Sequence, residues 1–117
     1  MTLIALGINH KTAPVELREK VAFTPDSLVE ALSSLKHLNG VDESVIVSTC
    51  NRTEVYVSSE TSCADQLIEW LAEFHNVDAS QLSANAYIYE QAAAIEHVMK
   101  VASGLDSLVL GEPQILG

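Results

Sequence analysis

The chain has 117 residues, 48% of them apolar and 19% charged, with only three prolines and five glycines; this is sequence for one core and excludes a disordered or collagen-like chain. Sixteen acidic against six basic residues leave a net charge of −10, the opposite of the footprint of a self-sufficient nucleic-acid binder. No apolar run approaches the ~18 residues of a membrane span, and no basic region precedes the first apolar stretch, so neither a membrane span nor a secretory signal is expected.

Residues 2–10 (TLIALGINH) form a short apolar run, rich in branched side chains, that predicts a buried strand. Residues 9–14 (NHKTAP) end it, because Pro14 biases Ala13 away from helical geometry. Residues 15–23 alternate in charge, with room for one helical turn. A helix start follows: Thr24 suits an N-cap, Pro25 the first helical position and Asp26 the positive end of the dipole. Leu28, Ala31, Leu32 and Leu35 then fall at i, i+3, i+4 and i+7, a stripe that stops near Asn39 and Gly40.

Residues 44–48 (SVIVS) read as a buried strand and residues 53–58 (TEVYVS) as an alternating one, with Thr49, Cys50, Asn51 and Arg52 between them. A second helix begins near Ser62, where Asp65 three residues on resembles a capping box, and its apolar face is Leu67, Trp70, Leu71 and Phe74. Residues 86–89 make a fourth strand and residues 91–103 a third helix. The order is β-α-β-β-α-β followed by a helical segment, an α+β chain of the ferredoxin-like split βαβ type, with two helices on one face of a four-stranded antiparallel sheet. The final residues, 111–117, stay apolar without a polar finish, which predicts a piece of a longer protein.

Charge is uneven. Five bases and six acids occupy residues 1–52, whereas residues 53–99 hold eight acids and no Lys or Arg. An anionic partner must therefore approach the N-terminal half or be held by something outside this chain; the plain alternative is an acidic surface that only keeps the protein soluble.

Two cysteines without CxxC spacing are no disulfide scaffold and point to a reducing compartment, and neither has a histidine at a zinc-ligand interval, so no metal is expected. Cys50 lies between two strands, where a scaffold can present a side chain to solvent. Arg52, two residues on, suits either of two roles: stabilising a Cys50 thiolate or holding a substrate carboxylate bidentately. The plain alternative is a half-buried strand-end cysteine beside a surface charge. Cys63, at a helix start with no cation nearby, reads as structural. His37 and His75 close helices, where a cation suits the dipole. In the third helix Ile95, Val98, Met99 and Ala102 form the apolar arc, with Glu96 and Lys100 outward and His97 on the boundary. His10 sits in a loop, and spacing does not choose between His10 and His97 as an acid or base. No GxGxxG or GxxxxGK[ST] pattern is present, so a nucleotide cofactor would be held elsewhere.

Residues 7–14 (GINHKTAP), 48–54 (STCNRTE) and 102–117 (ASGLDSLVLGEPQILG) together resemble the N-terminal catalytic domain of the glutamyl-tRNA reductase family, and the resemblance spans the whole chain. It implies that residues 1–117 are a catalytic, glutamate-recognising domain that stops before an NADPH-binding domain and a helical dimerisation domain. It also implies a cytoplasmic enzyme of tetrapyrrole (haem) biosynthesis that works as a homodimer. The Cys50 thiolate would attack the ester of glutamyl-tRNA, release tRNA and leave a thioester, which NADPH would reduce to glutamate-1-semialdehyde. Thr49, Asn51 and Arg52 would bind the glutamyl group, while Ser107, Glu112, Pro113 and Gln114 would line its pocket. His97 matches the family's histidine important for activity, which separates it from His10. Two other readings are a non-catalytic ferredoxin-like module that docks a partner, and a plain cysteine hydrolase.

Overall fold

The computed structural model describes residues 2–38, 40–60 and 62–102. Ser107, Glu112, Pro113 and Gln114 lie outside the described residues. In chain order the elements are β1 (Thr2–Asn9), α1 (Val15–Lys20), α2 (Pro25–Lys36), β2 (Val41–Ser48), β3 (Arg52–Ser59), α3 (Ala64–His75), α4 (Ala79–Asn85), β4 (Tyr87–Glu90) and α5 (Ala92–Ala102). The four strands form one sheet in the order β2-β3-β1-β4, with every neighbouring pair antiparallel. This is the ferredoxin-like arrangement, in which each crossover helix returns the chain to a strand one place removed.

Alternation along the two central strands divides the core. Ile4, Leu6 and Ile8 of β1 and Val55 and Val57 of β3 face α2 and α3, packing with Ala31, Leu35, Leu67, Trp70 and Leu71. Of the stripes expected from spacing, Ala31 and Leu35 of α2 and Leu67, Trp70 and Leu71 of α3 are buried, Phe74 packs at the margin, and Leu28 and Leu32 are half-buried. Thr24 caps α2 in a capping box with Ser27, as its sequence suggests, although the partner is a serine in place of the usual Glu or Gln. On the opposite sheet face Ala5, Val47 and Tyr56 pack with Ala94 of α5.

Several local expectations change. The strand β2 begins at Val41, and as an edge strand it leaves Val45 55% exposed, so the SVIVS run is not buried throughout. A continuous apolar run does not reveal whether a second layer covers both faces. The N-cap of α3 is Cys63, with no side-chain cap; Ser62 instead donates to Glu90 of β4, which removes it from the capping role. Residues 77–86 hold the short helix α4, capped by Asp78, and Ala86 is its C-cap, so β4 starts one residue later than the strand pattern implies.

The largest change is in α5. Its buried residues are Ala94, His97 and Val101, while Ile95, Val98 and Met99 are exposed. The helix is turned so that its histidine, and not its apolar arc, meets the sheet. The polar partners beneath the helix decide this orientation, and they come from distant strands.

Candidate active site

The β2–β3 hairpin is closed by the Thr49 N–H donating to the Arg52 carbonyl at 2.8 Å, which leaves Cys50 and Asn51 at its tip. The Thr49 hydroxyl accepts from the backbone N–H groups of Asn51 and Arg52, both at 3.2 Å, and so stiffens the loop from within. Cys50 is exposed and free, whereas Cys63 is buried with its thiol directed to the Ser59 hydroxyl. Of the two cysteines, only Cys50 is presented to solvent.

Arg52 is not the surface charge of the plain reading. Its side chain is buried, and Nη1 lies 3.4 Å from the carboxylate of Glu54, itself only 1% exposed. The period-2 geometry of β3 puts Arg52, Glu54 and Tyr56 on the α5 face. There the Tyr56 hydroxyl donates to Glu54 Oε1 at 2.6 Å and the Tyr87 hydroxyl of β4 donates to Oε2 at 2.5 Å. His97 of α5 completes the group, with Nε2 against the same Oε2. With Glu54 ionised, Nε2 carries the proton and donates. The imidazole also packs against the rings of Tyr87 and Tyr89, with centroids 5.2 and 4.7 Å away.

Burial alone would push the Glu54 carboxyl up, but hydrogen bonds from His97, Tyr56 and Tyr87 outweigh it and hold the group below its ordinary value. Tyr87 is pushed the other way by burial and by the neighbouring Glu54 charge, so its hydroxyl remains a donor. The result is a buried carboxylate fed by four donors, the arrangement that makes a charge tolerable in a core.

Gly7 makes room for it. In register, Gly7 lies between Glu54 on β3 and Tyr87 on β4. A Cβ there would lie 2.8 Å from Glu54 Cγ, 2.8 Å from the Thr53 carbonyl oxygen and 2.9 Å from the Tyr87 hydroxyl. The missing side chain lets residues from two flanking strands join hands across the central one.

The loop after β1 and the helix α1 lie beside the hairpin. Asn9, at the end of β1, accepts from the N–H groups of Lys11 and Thr12 through its side chain, so the NHKT segment is a tight turn and His10 is only half-buried in it. Arg18 of α1 donates from Nη1 to the Cys50 carbonyl at 3.4 Å. His75, expected to serve as a dipole-matched cation, instead stands edge-on to Phe23 at 4.5 Å, and burial pushes its imidazole down. His37 remains at the α2 C-cap and is exposed.

The fold therefore unites Thr49, Cys50, Asn51 and Arg52 on one hairpin and ties Arg52 to His97 through Glu54. His10 stays outside that group of contacts. Sequence reasoning missed Glu54, Tyr56, Tyr87, Gly7 and Arg18 as parts of the site. The shared parity of Arg52, Glu54 and Tyr56 and a glycine inside a strand were available signals; the reach of Arg18 was not. Among the described residues, no group of three or more His, Cys, Asp or Glu side chains gathers to hold a metal ion.

The family model of the glutamyl-tRNA reductase N-terminal domain matches residues 6–117. Over all 117 residues the chain is 71% identical to the glutamyl-tRNA reductase of Pseudoalteromonas atlantica, 62% to that of Pseudoalteromonas translucida and 58% to that of Pseudomonas savastanoi pv. phaseolicola. In each case it spans 28% of the relative's length. Among solved structures, glutamyl-tRNA reductase from Methanopyrus kandleri matches with a TM-score of 0.69 and 33% identity, over 97% of this chain and 25% of that one.

Proposed function

Because the chain belongs to the glutamyl-tRNA reductase family and matches its N-terminal domain, we propose that it is the domain that takes the glutamyl group from glutamyl-tRNA onto Cys50. The observation that carries this reading is an exposed cysteine at a stiffened hairpin tip, on the strand connection that also supplies Arg52. The Cys50 thiolate attacks the ester carbonyl carbon, a C–S bond forms and the C–O bond to the terminal ribose breaks. The ribose oxygen takes up a proton as tRNA leaves, and the glutamyl group stays as a thioester. Thr49, Asn51 and Arg52 hold the glutamyl group, and His97, oriented by Glu54, polarises the acyl oxygen or moves the proton. Ser107, Glu112, Pro113 and Gln114 complete the pocket in this reading.

In this reading the thioester would be reduced to the aldehyde glutamate-1-semialdehyde with hydride that NADPH would supply, the first step toward tetrapyrroles. The described residues contain no glycine-rich turn opening a helix, so they do not fit a nucleotide pyrophosphate. The reading places that cofactor outside residues 1–117, and with it a homodimer of the full-length protein and a cytoplasmic location. No helix among the described residues is long and apolar enough to cross a membrane.

The test is to mix the chain with glutamyl-tRNA, quench in acid and weigh the protein intact and after digestion. A glutamyl adduct on Cys50 is expected, absent with uncharged tRNA and absent in Cys50→Ser. Deacylation by the serine variant at the parent rate would remove Cys50 from the role. An adduct formed equally with simple esters would favour a plain cysteine hydrolase, and an unreactive Cys50 a partner-binding module.

A further inference from the structure

The chain has two arginines, and both reach the hairpin that carries Cys50. They come from opposite faces of the sheet. Arg52 shares the α5 face with Glu54, whereas α1 packs through Leu17 into the core on the α2–α3 face, and Arg18 extends from there to the Cys50 carbonyl. The two also differ in how their charge is met. Arg52 is buried against a carboxylate, but among the described residues no carboxylate pairs with Arg18. Its side chain is half-exposed and its Nε is buried without a hydrogen-bond partner. A 3.4 Å bond to a neutral carbonyl holds the guanidinium in place without neutralising it.

The substrate of the proposed reaction has a matching asymmetry. Its ester is flanked by two anions, the glutamyl carboxylate on the acyl side and the last phosphodiester of the tRNA on the alcohol side. Resting on that reading, we propose that Arg18 binds the 3′-terminal phosphodiester of the tRNA and seats the alcohol side of the ester beside Cys50. A planar guanidinium fork suits a phosphate, and such a contact positions the nucleic acid without reading its sequence. The rest of the surface makes the contact more valuable. With no Lys or Arg from residue 53 to 99 and a net charge of −10, most of this chain repels RNA. A single unneutralised guanidinium at the nucleophile admits the acceptor end and little else.

The experiment has a binding arm and a chemical arm, each run on the parent, Arg18→Ala and Arg18→Lys. The binding arm titrates an uncharged acceptor-stem RNA hairpin with a single-stranded 3′ CCA end over a salt series. Arg18→Ala is expected to weaken binding about tenfold at low salt and to flatten the log–log salt dependence by roughly one phosphate contact. Arg18→Lys should recover the salt dependence, because the charge is kept, but only part of the affinity. The chemical arm compares glutamyl-tRNA with a small glutamyl α-thioester lacking any nucleotide. The ratio of the two transfer rates should fall about tenfold in Arg18→Ala. Unchanged RNA affinity and salt slope would overturn the proposal, and so would an equal loss on both donors, which would put Arg18 on the acyl side. A parent chain that binds the RNA but transfers no glutamyl group would overturn the thioester reading instead, with Arg18 still decided by the binding arm.

Discussion

Glu54 shows how one buried residue can organise a polar cluster. Its carboxylate sits under the sheet's α5 face, where Tyr56, Tyr87, His97 and Arg52 all converge on it. Removing its charge while keeping its shape breaks the buried Arg52–Glu54 ion pair and takes the carboxylate acceptor from His97, a costly change inside a core. We therefore expect Glu54→Gln to lower the unfolding free energy by about 3 kcal/mol, measured by urea denaturation. The same variant should change the ¹⁵N signature of His97 in NMR, because Nε2 loses its carboxylate acceptor. Gly7→Ala attacks the same group sterically: the added methyl meets a backbone oxygen that cannot swing aside. It should cost about 1–3 kcal/mol and perturb His97 in the same direction as Glu54→Gln. An unmoved His97 signal in both variants would detach the imidazole from Glu54.

At the scale of elements, α5 is the informative case. Its entry is set by Gln91, which has a φ of 56° and donates its N–H to the Leu3 carbonyl at 2.8 Å. That left-handed residue folds the chain back after β4, so that α5 lies over β1 and β4 and brings His97 to Glu54. An exposed glutamine bears the steric cost of positive φ, so Gln91→Gly should stabilise the fold by about 0.5–1 kcal/mol. A β-branched Gln91→Val should do the reverse, as read from thermal unfolding. The short helices α1 and α4 are less legible, since each spans under three turns and buries a single leucine, Leu17 and Leu82. Spacing rules need two turns of repeat to register a stripe, whereas the longer α2 and α3 offered it in full.

At the scale of the whole molecule, His75 and Glu54 respond to acid in separate windows. The His75 imidazole, half-buried against Phe23 and Phe74, is held below its ordinary 6.5. The unfolded chain therefore takes up a proton that the folded chain resists, and stability falls as the pH drops below 6.5. The Glu54 carboxyl is held below its ordinary 4.5, so its contribution is complete above 4.5 and is lost as the pH falls further through the folded-state value. Unfolding free energy measured against pH should thus decline in two stages. His75→Phe is expected to flatten the first stage and leave the second; a profile unchanged by that substitution would show that His75 does not titrate with folding.

What the amino-acid sequence determined by itself was whatever depends on near neighbours in the chain: the capped start of α2, the apolar stripes of α2 and α3, the alternating strand β3 and the hairpin tip with Cys50. The β-α-β-β-α-β order followed from these, because connection rules leave few ways to pack two helices and four strands. Family membership too was legible from three short segments read in order. The tertiary structure alone decided where the charges go. That Arg52 turns inward to Glu54, that His97 and not the apolar arc of α5 meets the sheet, and that Arg18 arrives at the Cys50 loop all depend on residues separated by at least one intervening element or by the parity of a strand. A buried charge is tolerated only where enough donors converge on it, and which donors can converge is set by strand register and by how α5 lies on the sheet, not by spacing along the chain.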